Sequence, residues 1–207
     1  MLCYGGGYMK FSSGEHIVVL GTTGSGKTFW CRHVLVPLWR RVIVVDTEDY
    51  DYRDYKGVSV QKAIELAASK DKEFKVRVIF TGDILTDEQD AELLFRGLLA
   101  KGHDVLLVLD EATDFGDARA IFPSLRAVVR KARKRRITVA MATQRPAMLS
   151  KDAYTQAQHR VVFYLPDYDC EAVRPYAPWV KERAGEIPYK SYRYLYQAPD
   201  GEVSTHE

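Results

Sequence analysis

Residues 21 to 28 read GTTGSGKT, a full match to G-x-x-x-x-G-K-[ST], the pattern that curls a backbone around phosphate. Glycine at Gly21, Gly24 and Gly26 lets successive N–H groups turn toward one anion, and a following helix adds the partial positive charge of its first turn. The candidate nucleotide-binding residues are therefore Gly21, Thr22, Thr23, Gly24, Ser25, Gly26, Lys27 and Thr28. Lys27 is expected to reach the β- and γ-phosphates, and Thr28 to hold magnesium. A glycine-rich turn with a chance lysine is the plain alternative. The apolar strand HIVVL immediately before the motif argues against it.

A second set of groups lies in DVLLVLDEATD, where an apolar strand delivers Asp110 and Glu111 side by side at its carboxyl end. Open α/β sheets put their ligands at that end. Asp110 suits the magnesium, and Glu111 suits polarising a water for attack on the γ-phosphate. Adjacent carboxylates also cap helices or sit solvated; beside a phosphate loop the catalytic reading gains. Two acids favour hydrolysis over transfer, because a phosphotransferase must suppress attack by water. The third set ends ITVAMATQRP. Five of its first six residues suit a buried strand, so the strand surfaces at Thr143, Gln144 and Arg145. If that strand shares the sheet, Gln144 is placed to bond the γ-phosphate or the attacking water and to sense whether that phosphate is present.

The elements that must carry these groups alternate along the chain. Strands are expected at 16–20, 41–46, 75–80, 104–110 and 137–142, each rich in valine and isoleucine. The clearest helix is TDEQDAELLFRGLLAKG, with Thr86 and Gln89 as a capping box and Ala91, Leu94, Phe95, Leu98 and Leu99 as its apolar stripe. A second is expected from about Ser124 to Arg135, with Leu125, Val128, Val129 and Ala132 inward. Strands alternating with helices predict an α/β, mostly parallel sheet covered on both faces. Tyr192, Tyr194 and Tyr196 fall on one face of a terminal strand, with Pro199-Asp200-Gly201 as a turn, so a C-terminal β-hairpin is expected whose aromatics pack on the core or on a base, the core being preferred. DTEDYDYRDY, residues 46 to 55, is expected as a surface loop near the nucleotide.

Taken in order, GTTGSGKT, LLVLDEATD and KARKRRITVAMATQRP resemble the FtsK/HerA branch of P-loop motor ATPases, over about residues 14 to 165. That branch includes the genome-packaging ATPases of membrane-containing icosahedral viruses. The resemblance implies a P-loop NTPase of the RecA/FtsK-like ASCE kind, a three-layer sandwich with ATP and Mg2+ as ligands. It implies Lys27, Glu111 and Gln144 as catalytic residues, with Thr28 and Asp110 at the metal. It also implies an arginine that completes a neighbour's site, here Arg133 in Lys131-Ala132-Arg133, with Arg126, Arg130, Arg135, Arg136, Arg145 and Arg160 as substitutes. The expected partners are double-stranded DNA, further copies in a homo-oligomeric ring (hexamer or pentamer), and a viral procapsid or its packaging vertex in the host cytoplasm during assembly. A cellular DNA translocase of the same branch, a small P-loop nucleotide kinase and a nucleotide-dependent clamp are the competing readings.

Composition bounds these readings. At 207 residues and 46% hydrophobic content the chain can bury a full core, and it is expected to be one domain, with an ATPase core at about 14–165 and a C-terminal extension at about 166–207. No apolar run approaches the roughly 18 residues of a membrane span, and the first residues lack a signal peptide's pattern, so a soluble intracellular chain is expected. The three cysteines, Cys3, Cys31 and Cys170, have neither ligand spacing nor an even count and read as ordinary thiols. A net charge of +2 restricts any nucleic-acid contact to local clusters, of which RAVVRKARKRR is the strongest, although charge runs are often merely solvated or meet an acidic neighbour. Asparagine is absent, which excludes the N-K-x-D base-reading motif of GTPases and, with 28% charged residues, resembles thermophile composition.

Overall fold

Valine and isoleucine dominate the strands at the centre of the sheet because those strands are covered on both sides. The structure, a computed structural model, describes residues 9–47, 51–70, 72–80, 84–117 and 121–207, with only the backbone of 84–86. Its strands are β1 (His16–Leu20), β2 (Arg41–Val45), β3 (Lys56–Val58), β4 (Phe74–Val78), β5 (Leu106–Leu109), β6 (Thr138–Thr143), β7 (Ala157–Val162), β8 (Tyr194–Gln197) and β9 (Val203–His206). They form one nine-stranded sheet in the order β3-β4-β2-β5-β6-β1-β7-β8-β9. Pairing is parallel from β3 to β7 and antiparallel from β7 through β9. Every residue of β1, β2, β5 and β6 is buried.

Because successive side chains alternate across a sheet, these strands feed two separate cores. Val18, Leu20, Ile43, Val45, Leu107 and Met141 pack with the helices of one face, and Ile17, Val19, Val42, Val44, Leu106 and Val108 pack with Trp30, Leu35 and Trp39 on the other. Helices α2 (Val60–Ala68), α3 (Ile84–Lys101) and α4 (Pro123–Lys131) belong to the first face. The second face is covered by α1 (Lys27–Trp30), which continues as a π-helical turn, Cys31–Leu35, and a short 3-10 turn, Val36–Leu38, containing Pro37. The result is the expected three-layer arrangement. Further short helices are α5 (Lys151–Gln156), α6 (Asp167–Val173) and α7 (Trp179–Arg183).

Several expectations need correction. The helix containing Ala91 and Leu94 starts at Ile84, so Thr86 lies inside its first turn and is not the N-cap. The second helix ends at Lys131: Ala132–Arg135 tighten into a 3-10 turn, and Arg136 closes it in the left-handed region at φ 58°. Arg133 therefore does not continue the helical stripe of Arg126 and Arg130. The C-terminal hairpin forms, with Tyr194 and Tyr196 each 4% exposed in the second core. Tyr192 departs from them: it precedes the strand with φ 58° and is 63% exposed. In the 46–55 loop, residues 48–50 fall outside the described segments, and Tyr52, expected at the surface, is completely buried. Among the described residues, no helix is long and apolar enough to cross a membrane.

Candidate functional site

β1 hands the chain directly to the glycine loop at its carboxyl end. That exit is fixed by Phe163 N–H to Leu20 O at 2.8 Å and Thr22 N–H to Tyr164 O at 3.1 Å. Gly24 and Gly26 take φ of 72° and 108°, conformations that a side chain strains, so glycine is required at both. Gly21 is required for another reason, since a β-carbon there would stand 2.5 Å from Ser25 Oγ and 2.7 Å from Phe163 Cβ. The loop closes into α1 through Trp30 N–H to Gly26 O at 2.8 Å. Lys27 is 8% exposed and reaches back so that Nζ donates to Thr22 O at 2.9 Å. Burial holds its pKa below the ordinary lysine value, opposed by the charges of Glu111 and Asp110. Thr22 Oγ1 and Ser25 Oγ are buried without hydrogen-bond partners, polar atoms in the loop that a bound anion's shell would satisfy.

β6 lies between β1 and β5, which is why three separate sequence motifs meet at one edge. At the end of β5, Asp110 Oδ2 accepts from Thr28 Oγ1 at 3.1 Å, and Oδ1 from the buried Tyr52 hydroxyl at 3.4 Å. Burial raises the Asp110 pKa to about 7, with Asp46 and Asp51 adding repulsion and the Thr28 bond and Lys27 opposing it. A divalent cation there would favour the charged form. Glu111, the next residue, is held from β6: Thr143 Oγ1 donates to Oε1 at 2.6 Å and Gln144 N–H to Oε2 at 3.1 Å, with the Thr113 hydroxyl also on Oε1. The Gln144 side chain crosses to the loop, its Oε1 accepting from the Thr23 hydroxyl.

These groups line a cleft of about 790 Å³ whose wall includes Lys27, Thr28, Asp110, Glu111, Gln144 and Tyr192. The expected residues of all three motifs are thus together, and a triphosphate with magnesium fits them. The glycine loop offers N–H groups and unpaired hydroxyls, and one carboxylate with one hydroxyl is the protein share that Mg2+ takes when phosphates and waters complete its shell. Tyr52 and Thr143 were not foreseen as site residues, and Tyr192, one of the hairpin aromatics expected on the core or on a base with the core preferred, lines the cleft instead of the core. Thr143 had a visible signal, since it directly precedes Gln144 at the strand end. Tyr52 had none, because its burial depends on how the loop after β2 folds back.

Arg145 stays at the cleft end of β6, its N–H donating to Thr143 Oγ1 at 2.9 Å, but the other candidate arginines lie elsewhere. The turn Ala132–Arg135 approaches the amino end of β1, with Arg133 O 3.1 Å from a β-carbon built on Gly14, and Arg135 O accepts from Asp104 N–H at 2.8 Å before β5. Arg133 Nη2 donates to Gln156 O at 3.0 Å, just ahead of β7. Arg133 therefore sits at the opposite edge of the parallel strands from the cleft. Arg126 and Arg130 both pair with Asp152, Arg136 pairs with Asp104 at 2.8 Å, and Arg160 is bonded to Tyr154 O and Gln197 Oε1 at 3.0 Å each.

A mostly parallel sheet, a glycine loop after the central strand β1 beside β6, and an antiparallel C-terminal pair give the fold of FtsK/HerA-type P-loop ATPases. Within that fold the chain is similar to the genome packaging NTPase B204 from Sulfolobus turreted icosahedral virus 2 in complex with sulfate, at a TM-score of 0.76 and 17% identity over 95% of this chain and 98% of that one. B204 from Sulfolobus turreted icosahedral virus, described as its DNA-packaging ATPase, gives 0.75 and 18% over 95% and 98%. The conjugation coupling protein TcpA of pCW3 gives 0.65 and 17% over 94% of this chain and 60% of that one. No protein-family model and no curated protein matches the sequence.

Proposed function

We propose that this chain is an ATP-hydrolysing motor that drives double-stranded viral DNA into a preformed procapsid. The observation that carries the hydrolytic part is the placement of Glu111, whose carboxylate is gripped by Thr143 and the Gln144 N–H at the rim of the glycine loop. In this reading Gly24 to Thr28 hold the phosphates, and Lys27 neutralises charge on the β- and γ-groups. Thr28 and Asp110 hold Mg2+, which supplies a Lewis acid that draws charge from the phosphoryl oxygens. Glu111 takes a proton from the attacking water, and Gln144 orients that water. Arg133 reaches the corresponding cleft of a neighbouring copy in a homo-oligomeric ring of five or six.

Support for the nucleotide comes also from B204 of Sulfolobus turreted icosahedral virus 2, solved with AMPPCP and with ATP-gammaS. Support for packaging comes from what the two similar B204 proteins are described as doing, together with near-complete mutual coverage. DNA contact is assigned to the exposed part of the basic turn beyond Arg133, that is to Lys134 and Arg135, because Arg126, Arg130 and Arg136 are paired within the chain. The work is expected in the host cytoplasm at the procapsid vertex. The test is phosphate release by the purified protein with and without double-stranded DNA, run beside transfer to nucleoside monophosphates. DNA-stimulated release without transfer is expected; transfer without release would make the protein a kinase.

A further inference from the structure

The cleft has two unlike sides. Toward β6, β5 and β2 it carries Gln144, Glu111, Asp110 and Asp46, the groups suited to the reacting phosphates and the metal. Toward β7 and β8 the glycine loop meets rings: a β-carbon on Gly26 would come within 3.2 Å of Tyr192 Cδ1 and 3.3 Å of Phe163 Cε1. A nucleotide with its γ-phosphate at Glu111 must run its other end away from the acids, and Tyr192 is the exposed ring on that side.

Tyr192 is also held there at a cost. Strand alternation would carry it onto the face that buries Tyr194 and Tyr196, yet its backbone turns left-handed at φ 58°, as does Lys190 at 60°. Such residues persist only where their surroundings over-determine them, and they gather at functional sites. The surroundings do so here. Tyr189 packs on Tyr164 with ring centroids 5.1 Å apart, Ser191 N–H donates to Pro188 O at 3.1 Å, and Arg193 pairs with Glu207. The turn is thus pinned on both sides of a tyrosine that remains 63% exposed. Phe29, the other exposed ring lining the cleft, has His33 tilted against it at 4.4 Å, whereas no ring of the described residues stacks on Tyr192.

We propose that Tyr192 is the stacking platform for the base of a nucleoside triphosphate held by the glycine loop. The inference rests on the nucleotide reading of that loop. Stacking reads no base edge, so the platform accepts all four bases and favours purines through their larger overlap.

The experiment is calorimetric binding of Mg2+ complexes of ATP, CTP and inorganic tripolyphosphate to the full chain and to Tyr192→Ala, Tyr192→Phe and Tyr192→Gly. For Tyr192→Ala, ATP affinity should fall about ten-fold, CTP affinity by less, and tripolyphosphate affinity not at all. Tyr192→Phe should bind all three like the parent. Tyr192→Gly should bind like the alanine variant while melting no lower than the parent, because glycine relieves the left-handed backbone. The platform is overturned if Tyr192→Ala keeps full ATP affinity, or if it loses ATP and tripolyphosphate equally, which would make Tyr192 a prop for Gly26. A parent that binds tripolyphosphate as tightly as ATP refutes the platform and leaves the phosphate site standing; a parent that binds neither overturns both.

Discussion

Thr143 Oγ1 lies 2.6 Å from Glu111 Oε1 as its donor, and the same oxygen accepts the Arg145 N–H at 2.9 Å. A wholly buried hydroxyl with both roles filled acts as a rigid bracket. Thr143→Val keeps the shape and removes the bracket. Phosphate release should fall about ten-fold or more, with ATP affinity preserved, since a hydrogen bond to a charged group is worth roughly 1.5–3 kcal/mol. Thr143→Ser should recover most of the rate. Single-turnover hydrolysis set against equilibrium binding checks this, and an unchanged valine variant would remove Thr143 from the site.

Glu111→Gln retains the outline of the carboxylate and loses the base. Nucleotide binding should persist while turnover drops by at least about a hundred-fold. Lys27→Ala should instead weaken binding itself. Hydrolysis by Glu111→Gln at the parental rate would reassign the water-activating role.

An Arg133→Ala subunit keeps Lys27, Asp110, Glu111 and Gln144, so it should bind ATP and assemble but hydrolyse slowly, by 10³-fold or so if the arginine supplies what trans-acting arginines supply elsewhere. Mixing it with Glu111→Gln subunits creates some interfaces where an intact arginine faces an intact acid, and part of the activity should return. The readout is phosphate release across mixing ratios, in samples where mixed assembly is measured. Mixtures as inert as their components would count against a shared site.

His16 is fully buried at the start of β1, with Nδ1 accepting from Val139 N–H at 3.0 Å and Nε2 2.9 Å from Val129 O. Those two bonds require the neutral ring protonated at Nε2, and burial lowers its pKa to about 4. The unfolded chain therefore binds the extra proton between pH 6.5 and 4, so stability conferred by the neutral ring is lost on acidification through that window. The loss should amount to roughly 3 kcal/mol by pH 4. Denaturant unfolding compared with His16→Gln, which offers one acceptor and one donor without titrating, isolates the effect; parallel pH curves would exclude it.

Much of this was readable from residue order. Valine-rich runs give β1, β2, β5 and β6 because two-sided burial imposes an unmistakable composition, β4 shows through the alternation of Val76 and Val78 with half-buried residues, and the glycine loop, the acid pair and Gln144 follow from strand ends. β3, three residues containing Gly57, and β7, which mixes Gln158, His159 and Arg160 with apolar residues, carry no such signature. Two polar residues of β7 meet partners far along the chain, His159 Nδ1 the Tyr196 hydroxyl at 2.8 Å and Arg160 Nη1 the Gln197 side chain at 3.0 Å. Tyr192 and Tyr52 were hidden for a related reason, since a left-handed backbone and a folded-back loop leave no periodic trace. The early end of α4 likewise depends on Arg136 closing the turn rather than on any helix-breaking residue.

The glycine loop follows the carboxyl end of β1, while Arg133 borders its amino end. A two-fold axis makes every contact reciprocal, so an Arg133 edge set on a partner's loop is answered by the same contact in return and assembly stops at two copies. A contact that instead brings the Arg133 edge of one copy to the loop of the next without that return joins unlike surfaces, head to tail, and repeats one rotation until it closes or runs on as a filament. Any assembly built on that contact has a front and a back, so a helical rod threaded through it meets a different surface on entry than on exit.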